Sequence, residues 1–189
     1  MRGGHAAAEG PLYGRTVEPL AGSAGNTLET KGRDVLHIFV DGDACPVREE
    51  VYRVARRYHL EVTVAANAWM RVPEGSGVRL KVVGHGFDAA DDWIAEHVEA
   101  DDVVVTADVL LASRCVKKGA RVLAPDGRRF TEDNIGEAVA VRNMLEGLRS
   151  AGAATGGPPP LRKRDRSCFL HRLDETVQAI RRKHGPGPS

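Results

Sequence analysis

Runs of β-branched and other apolar residues alternate along the chain with segments in which apolar residues recur every three or four positions. The runs are typical of strands buried on both faces of a parallel sheet, and the other segments are typical of amphipathic helices that cover such a sheet. The pattern predicts an α/β fold, a three-layer sandwich with a mainly parallel central sheet. The predicted strands are 35–40, 61–66, 78–83, 102–106 and 120–124, and the predicted helices are 46–58, 88–98, 108–118, 131–148 and 167–182.

The same pattern divides the chain into four regions. At 189 residues the chain is long enough for one sizeable core and short for two. The N-terminal segment is rich in Gly, Ala and Thr and lacks an apolar period, whereas a later Gly/Ala/Pro segment precedes an amphipathic helix that should dock on the body. The predicted regions are a disordered extension at 1–33, an α/β domain at 34–149, a linker arm and docking helix at 150–184, and a disordered tail at 185–189.

Composition and charge exclude several classes of protein. The chain carries 27 basic and 26 acidic residues, a formal charge of +1, so no overall field marks it for nucleic acid or a membrane surface. No apolar stretch approaches the roughly 18 residues of a membrane span, and the N-terminus lacks the apolar region of a signal peptide. The three cysteines are widely spaced and fit neither a disulfide framework nor a zinc site. We therefore expect a cytoplasmic protein with no membrane partner, and the sequence leaves its oligomeric state open.

Aspartates occupy the positions where predicted strands end. Asp41 and Asp43 follow the first strand, and Asp108 follows the fourth. Because the carboxyl ends of parallel strands lie at one edge of a sheet, these side chains should converge. Asp88 and Asp91, three residues apart at a helix start, fall on one helical face directed at the same edge. Asp88 suits a helix cap as well as it suits this group.

Four or five carboxylates at one edge favour a bound cation. Two like charges about 4 Å apart repel by about 4 kcal/mol at an effective dielectric constant near 20, so without a cation some members should have raised pKa values. Oxygen donors with no His or Cys nearby suit Mg²⁺ or Mn²⁺ and disfavour zinc. The alternative is a purely structural set of caps and turns. Asp92 points about 100° away from Asp91 around the helix and should be exposed to solvent.

Ordered motifs over roughly residues 35–182 resemble the YaiI/YqxD family of bacterial proteins. The motifs are Asp41-Gly-Asp-Ala-Cys-Pro, Ala66-Asn67 followed by Arg71-Val-Pro, Gly86-Phe-Asp-Ala-Ala-Asp, Val105-Thr-Ala-Asp, Asn134-Ile, and Thr155-Gly-Gly-Pro with Arg164-Asp-Arg. One departure is Gly42, where the family pattern has Ala. The family is in turn similar to PIN-like domains, in which a parallel sheet lies between helices and whose active members are metal-dependent ribonucleases.

The resemblance implies a metal-dependent nuclease site. By that similarity Asp41, Asp91 and Asp108 are the catalytic residues, and Asp43 and Asp88 complete the set that would hold the metal. The leading hypothesis is hydrolysis of phosphodiesters, with RNA as the expected partner and Mg²⁺ or Mn²⁺ activating the attacking water. Candidates for substrate binding are Asn67, Arg71 and Arg142, and further basic candidates are Lys117, Lys118 and the run 162–166.

Two other functions remain open. An apolar strand that ends in Asp-x-Asp is also found in haloacid-dehalogenase-like phosphatases, where the first Asp is the nucleophile. Thr106 could supply the Thr that such enzymes need, but their Gly-Asp metal loop is missing. The other alternative is a non-catalytic PIN-like module that binds nucleic acid or protein. It is favoured by the basic segment 161–189 and by the lack of any evident base-stacking aromatic residue.

Overall fold

The computed structural model describes residues 36–43, 45–84, 86, 88–152 and 160–185. These residues all belong to the unit Gly32–Ser189. The predicted extension at 1–33 lies outside the described residues, as do most of the predicted linker at 150–160 and most of the tail at 185–189. Within the described ranges, no helix is both long enough and apolar enough to cross a membrane.

One sheet of six strands forms the centre of the described unit, and helices lie on both of its faces. The strand order is 3-2-1-4-5-6, with the first five strands parallel and the sixth antiparallel to the fifth. The predicted α/β class with a mainly parallel sheet is therefore confirmed. In chain order the elements are β1 (His37–Asp41), α1 (Arg48–Tyr58), β2 (Glu61–Ala66), β3 (Val78–Val82), α2 (Ala89–His97), β4 (Val103–Val105), α3 (Val109–Lys117), β5 (Arg121–Leu123), β6 (Arg129–Phe130), α4 (Glu132–Ser150) and α5 (Lys163–His184).

The strand order creates a switch point between β1 and β4. From β1 the chain proceeds through β2 to β3 on one side, and then crosses to β4 and β5 on the other side. In open α/β sheets, ligands bind in the crevice at the carboxyl ends of the strands that flank such a switch point. Val40 pairs with Val105 in register, so the residues that follow them, Asp41 and Thr106, lie side by side at this edge.

Alternation along the strands decides which face each side chain occupies. Ile38 belongs to the apolar cluster that includes α1 and α5, whereas Phe39 belongs to the cluster that includes α2 and α3. Val104 of β4 is on the same face as Phe39. Asp41 and Thr106 lie two positions further along their strands, so they continue that face and are directed toward α2 and α3.

The C-terminal helix α5 packs on α1 and completes the first apolar cluster. Phe169, Leu173 and Val177, spaced four residues apart, are all fully buried. The helix begins at Lys163, four residues before the predicted start, because its first turn is capped: the carboxylate of Asp165 accepts a hydrogen bond of 2.8 Å from the backbone N–H of Arg162.

The last turn of α5 is tied to the amino-terminal edge of the sheet. Asp101 precedes β4 in a left-handed turn, with φ at 65°, and its carboxylate accepts hydrogen bonds from Lys183 and from His184 Nε2, the latter at 2.9 Å. The Lys183 hydrogen bond is the main cause of a lowered pKa for Asp101, and Arg121 lowers it further. Both ends of α5 are therefore fixed by specific polar contacts.

Strand β6 was not predicted from the sequence. The turn at Pro125–Asp126–Gly127 reverses the chain, with φ of Gly127 at 87°, and a hydrogen bond of 2.8 Å joins the N–H of Ala124 to the carbonyl of Arg128. The returning strand contains two residues, which is too short for any alternation of apolar and polar positions to be visible.

Leu173→Ala should lower the free energy of unfolding by about 2–5 kcal/mol, because it leaves a cavity in a fully buried contact between α5 and α1. Leu148→Ala provides a matched control. Leu148 lies on α4 with 43% of its surface exposed, and its loss should change stability by less than about 0.5 kcal/mol. Urea unfolding followed by circular dichroism measures both values, and equal losses would contradict the assignment of α5 to the core.

Candidate functional site

Thr106 links the ends of β1 and β4. Its hydroxyl donates a hydrogen bond of 2.9 Å to Oδ2 of Asp41 and accepts one of 2.9 Å from the backbone N–H of Asp108. Thr106 is fully buried and Asp41 is 7% exposed. The hydroxyl of Thr106 therefore holds the side chain of Asp41, at the end of β1, against the loop that follows β4. The sequence suggested a role for this threonine only in a phosphatase, although a hydroxyl residue directly after a run of three valines is a visible signal.

Asp108 is the N-cap of α3. Its Oδ1 accepts hydrogen bonds from the backbone N–H groups of Leu110 at 2.6 Å and Leu111 at 2.9 Å. Asp88 occupies the corresponding position before α2, yet its side chain makes no cap hydrogen bond among the described residues. Asp88 therefore does not act as a side-chain cap of α2, whereas Asp108 caps α3. The second carboxylate oxygen of Asp108 is not used by this cap.

Asp91 lies half-buried in the first turn of α2, among other carboxylates. Its pKa is raised to about 6, first by burial and then by neighbouring negative charge. The groups that raise it are the carboxylates of Asp41, Asp108 and Asp88, and the guanidinium of Arg114 lowers it. Coulomb repulsion weakens with distance, so the carboxylates that raise the pKa of Asp91 are its neighbours. The structure therefore brings these predicted site residues into one neighbourhood.

Asp41 shows the same combination of burial and repulsion. Burial is the main cause of its raised pKa, the hydrogen bond from Thr106 opposes the rise, and the carboxylates of Asp43 and Asp108 add to it. Asp43 itself is exposed. The sequence-based expectation that some of these aspartates would titrate upward without a cation agrees with these shifts.

Asn67 joins the candidate site from the loop after β2. Its backbone N–H donates to the carboxylate of Asp43, with a distance of 3.1 Å to Oδ2. Its side-chain Oδ1 is buried and accepts no hydrogen bond within the part of the chain that the structure describes. A buried acceptor left in this way costs about 1–3 kcal/mol unless a ligand satisfies it. Asn67 therefore carries a buried, unsatisfied oxygen in the loop that contacts Asp43.

The donor atoms fit Mg²⁺ or Mn²⁺ by their chemistry, because the neighbourhood contains carboxylate and amide oxygens. Across the described ranges, however, no three His, Cys, Asp or Glu side chains are arranged to hold one ion. Asp108 directs one oxygen to the start of α3, and Asp43 bonds to the backbone of Asn67. The carboxylates are thus neighbours that have not converged on a common point.

The basic residues predicted for substrate binding lie in different places. Arg71 follows Asn67 in the loop after β2 and is exposed, with no hydrogen bond or ion pair to any described residue. Arg142 lies on α4, where its guanidinium pairs with Glu146 one turn further along. Lys117 and Lys118 lie at the end of α3, about 13 Å along the helix from its start. They therefore lie at the end of α3 away from Asp108, and phosphate contact by them stays a prediction.

Two other predictions concern residues beside the site. Asp92 is exposed and forms an ion pair with Arg114 at 2.7 Å, as expected for a residue outside the carboxylate group. Within the basic run 162–166, Arg166 donates to the carbonyl of Pro46 and pairs with Glu50 at 3.1 Å. This arginine therefore fastens α5 to the start of α1.

Comparison with known proteins identifies the family. The model of the uncharacterized YaiI/YqxD family matches residues 39–179, about three quarters of the chain. The chain belongs to the YaiI/YqxD family. This finding confirms the resemblance drawn from the motifs. The range matched by the YaiI/YqxD model contains every candidate site residue, from Asp41 to Arg142.

Close relatives of this YaiI/YqxD protein carry the name UPF0178 protein. One from Rhodopseudomonas palustris is 54% identical over 152 residues, which are 80% of this chain and 93% of the relative. One from Bradyrhizobium diazoefficiens is 54% identical over 146 residues, 77% of this chain and 87% of the relative. One from Nitrobacter winogradskyi is 51% identical over 147 residues, 78% of this chain and 94% of the relative. No solved structure matches the chain.

Thr106→Val should lower the free energy of unfolding by about 1–3 kcal/mol, because the N–H of Asp108 loses its acceptor and Asp41 loses a donor. The pKa of Asp41 should rise further, since that hydrogen bond lowers it. Thr106→Ser is the matched control, because it retains the hydroxyl. Carbon-13 NMR titration of the carboxyl groups measures the pKa, and a rise of the same size in both variants would contradict the role of the hydroxyl.

Asp91→Asn should stabilise the metal-free protein at high pH. The pKa of Asp91 is higher in the folded protein than its ordinary 3.8, so folding favours the protonated carboxyl group. As the pH rises from about 4 through about 6 the group ionises, and the wild type loses folding free energy that Asp91→Asn keeps. Allowing for solvent screening, the gain should be about 1–2 kcal/mol at pH 8 and much smaller at pH 4.5.

Urea unfolding in EDTA at both pH values measures the gain from Asp91→Asn. Asp92→Asn is the control, because Asp92 is exposed and paired with Arg114 and should show the pH dependence of the wild type. A gain for Asp91→Asn that does not change between the two pH values would contradict the raised pKa.

Proposed function

We propose that this YaiI/YqxD protein is a metal-dependent nuclease that hydrolyses phosphodiester bonds, with RNA as its substrate. The observation that carries the proposal is the group of carboxylates at the β1/β4 switch point, whose members Asp41 and Asp91 have raised pKa values through burial and mutual repulsion. Such an arrangement costs stability in the absence of a ligand, which favours a functional role over a structural one. RNA as the substrate follows from the resemblance to PIN-like nucleases.

The chain's own residues would hold and orient the reacting groups. Asp41, Asp91 and Asp108 would hold Mg²⁺ or Mn²⁺, with Asp43 and Asp88 beside them. When bound, the cation polarises the phosphodiester, lowers the pKa of the attacking water and offsets the negative charge that develops on the phosphate oxygens. Thr106 and the backbone of Asp43 hold the carboxylate of Asp41 by hydrogen bonds, and the α3 cap engages only Oδ1 of Asp108, which leaves Oδ2 of Asp108 for a ligand.

The residues of the loop after β2 would bind the substrate. The unpaired Oδ1 of Asn67 can accept a hydrogen bond from a hydroxyl or an amino group of the substrate. Arg71 can contact a phosphate, because its guanidinium has no partner among the described residues. Arg142 is already engaged by Glu146, so we assign phosphate binding to Arg71 ahead of it.

Cleavage of labelled RNA in Mn²⁺ or Mg²⁺ tests the proposal. Asp41→Asn and Asp108→Asn should each lower the rate at least ~100-fold, because even residues behind the metal ligands typically contribute 10–100-fold. Both substitutions retain the acceptor oxygen that bonds Thr106 or caps α3, so they remove the charge with little change in the fold. Asp92→Asn, at an exposed acid paired with Arg114, is the matched control and should cleave like the wild type. Wild-type protein that cleaves neither RNA nor DNA with either ion would refute the proposal.

Thermal unfolding with added Mn²⁺ tests metal binding independently of cleavage. An excess of about 100-fold over the dissociation constant should stabilise the protein by about 2.7 kcal/mol. Asp41→Asn should abolish most of this shift, and Asp92→Asn should retain it. A shift of the same size in the wild type and in Asp41→Asn would place the ion elsewhere.

A further inference from the structure

Trp69 is the most exposed of the large apolar side chains that the structure describes. Its exposed fraction is 77%, whereas that of Met144, the next in rank, is 60%. The only other tryptophan, Trp93, is half-buried and stacks on the ring of His97 with centroids 4.0 Å apart. An exposed indole offers a flat apolar surface that water solvates poorly and that a planar ligand can cover.

The loop that carries Trp69 is held in place on both sides of it. On one side, the N–H of Asn67 donates to Asp43. On the other, the side chain of Met70 packs against the apolar cluster of α1, and its sulfur accepts a hydrogen bond of 2.7 Å from Arg48. Because the neighbouring residues are anchored, the exposure of Trp69 results from a fixed backbone rather than from a loop without contacts.

A short path through Asn67 and Asp43 connects Trp69 to the carboxylates. Asp43 is two residues from Asp41, and Trp69 is two residues from Asn67, which bonds to Asp43. Two residues span at most about 7 Å. The path from Asp41 to Trp69 is therefore at most roughly 20 Å, the length of about six nucleotides of a stacked strand that rises about 3.4 Å per phosphate.

We propose that Trp69 is a stacking platform for an unpaired base of a single-stranded nucleic acid, and that Arg71 contacts a phosphate of the same strand. An indole with a cationic side chain two residues away, itself without a described partner, matches the combination of aromatic and basic groups that binds single strands. A base within a duplex is stacked on both faces and cannot cover the indole. This inference rests on the proposed function and deepens it, because it restricts the substrate to single-stranded segments.

Binding to fluorescent 12-nucleotide strands, measured in the non-cleaving Asp41→Asn protein with Mg²⁺, tests the platform without relying on catalysis. Trp69→Ala should weaken binding of single-stranded RNA by about 5- to 150-fold, the range for loss of one stacked base. Trp69→Phe should retain most of the affinity, because phenylalanine also presents a ring face. A DNA strand of the same sequence shows whether the sugar contributes, and the matching duplex should bind weakly and be unaffected by Trp69→Ala.

Tryptophan emission supplies a direct readout of stacking. With Trp93→Phe added, Trp69 is the only tryptophan, and single-stranded RNA should quench its emission when the indole is excited selectively. With Trp69→Phe instead, the remaining signal from Trp93 should be unchanged by RNA.

The outcomes separate this proposal from the nuclease. A wild type that fails to cleave, combined with quenching and with weaker binding by Trp69→Ala, would support the platform and refute the nuclease. Cleavage by the wild type, with Trp69→Ala binding single strands as tightly as its parent, would overturn the platform and leave the nuclease intact. If Trp69→Ala weakened binding of single strands and of duplex equally, the platform would also be overturned. Binding of a protein, and of no nucleic acid, at the Trp69 surface would overturn it as well.

Discussion

The pairing of β1 with β4 is the constraint on which the candidate site depends. Because these strands are parallel, adjacent and in register, whatever follows Val40 must lie beside whatever follows Val105. Asp41 follows Val40 and Thr106 follows Val105. Both side chains lie on the face of the sheet that α2 and α3 cover. The first turn of α2 and the cap of α3 then add their own acids to the same edge.

This arrangement opposes the stability of the fold. Burying a carboxylate beside other negative charges lowers the stability of the fold, and only a few hydrogen bonds among the described residues offset this cost. Thr106 donates to Asp41, and the α3 cap satisfies part of Asp108. Asn67 retains a buried oxygen without a partner in the described residues. Natural proteins tolerate such strain mainly where a ligand relieves it, which is why the edge stands out from an otherwise ordinary α/β core.

Periodicity was sufficient to predict the main strands and helices, because buried parallel strands and amphipathic helices have distinct apolar patterns. It could not predict β6, which has two residues, or the first turn of α5, which depends on the cap made by Asp165. At the site, topology predicted the neighbouring acids. It did not predict that Asp108 caps α3 while Asp88, at the corresponding position before α2, makes no cap hydrogen bond, because backbone geometry decides such contacts. The exposure of Trp69 depends on anchors at residues distant in sequence and has no local signal.

The position of α5 also affects the order in which the protein can acquire its structure during synthesis. The site residues from Asp41 to Asp108 leave the ribosome early, whereas Phe169, Leu173 and Val177 emerge near the end. Until they do, the face of α1 that they cover has no apolar partner, and the first cluster is incomplete. The second cluster, which lies on the face of the carboxylates, contains no residue of α5, so its packing does not depend on that helix. A chain that ends before α5 would therefore contain every acidic residue of the site and the helices that cover them, while the opposite face of the sheet would lack the apolar side chains of α5.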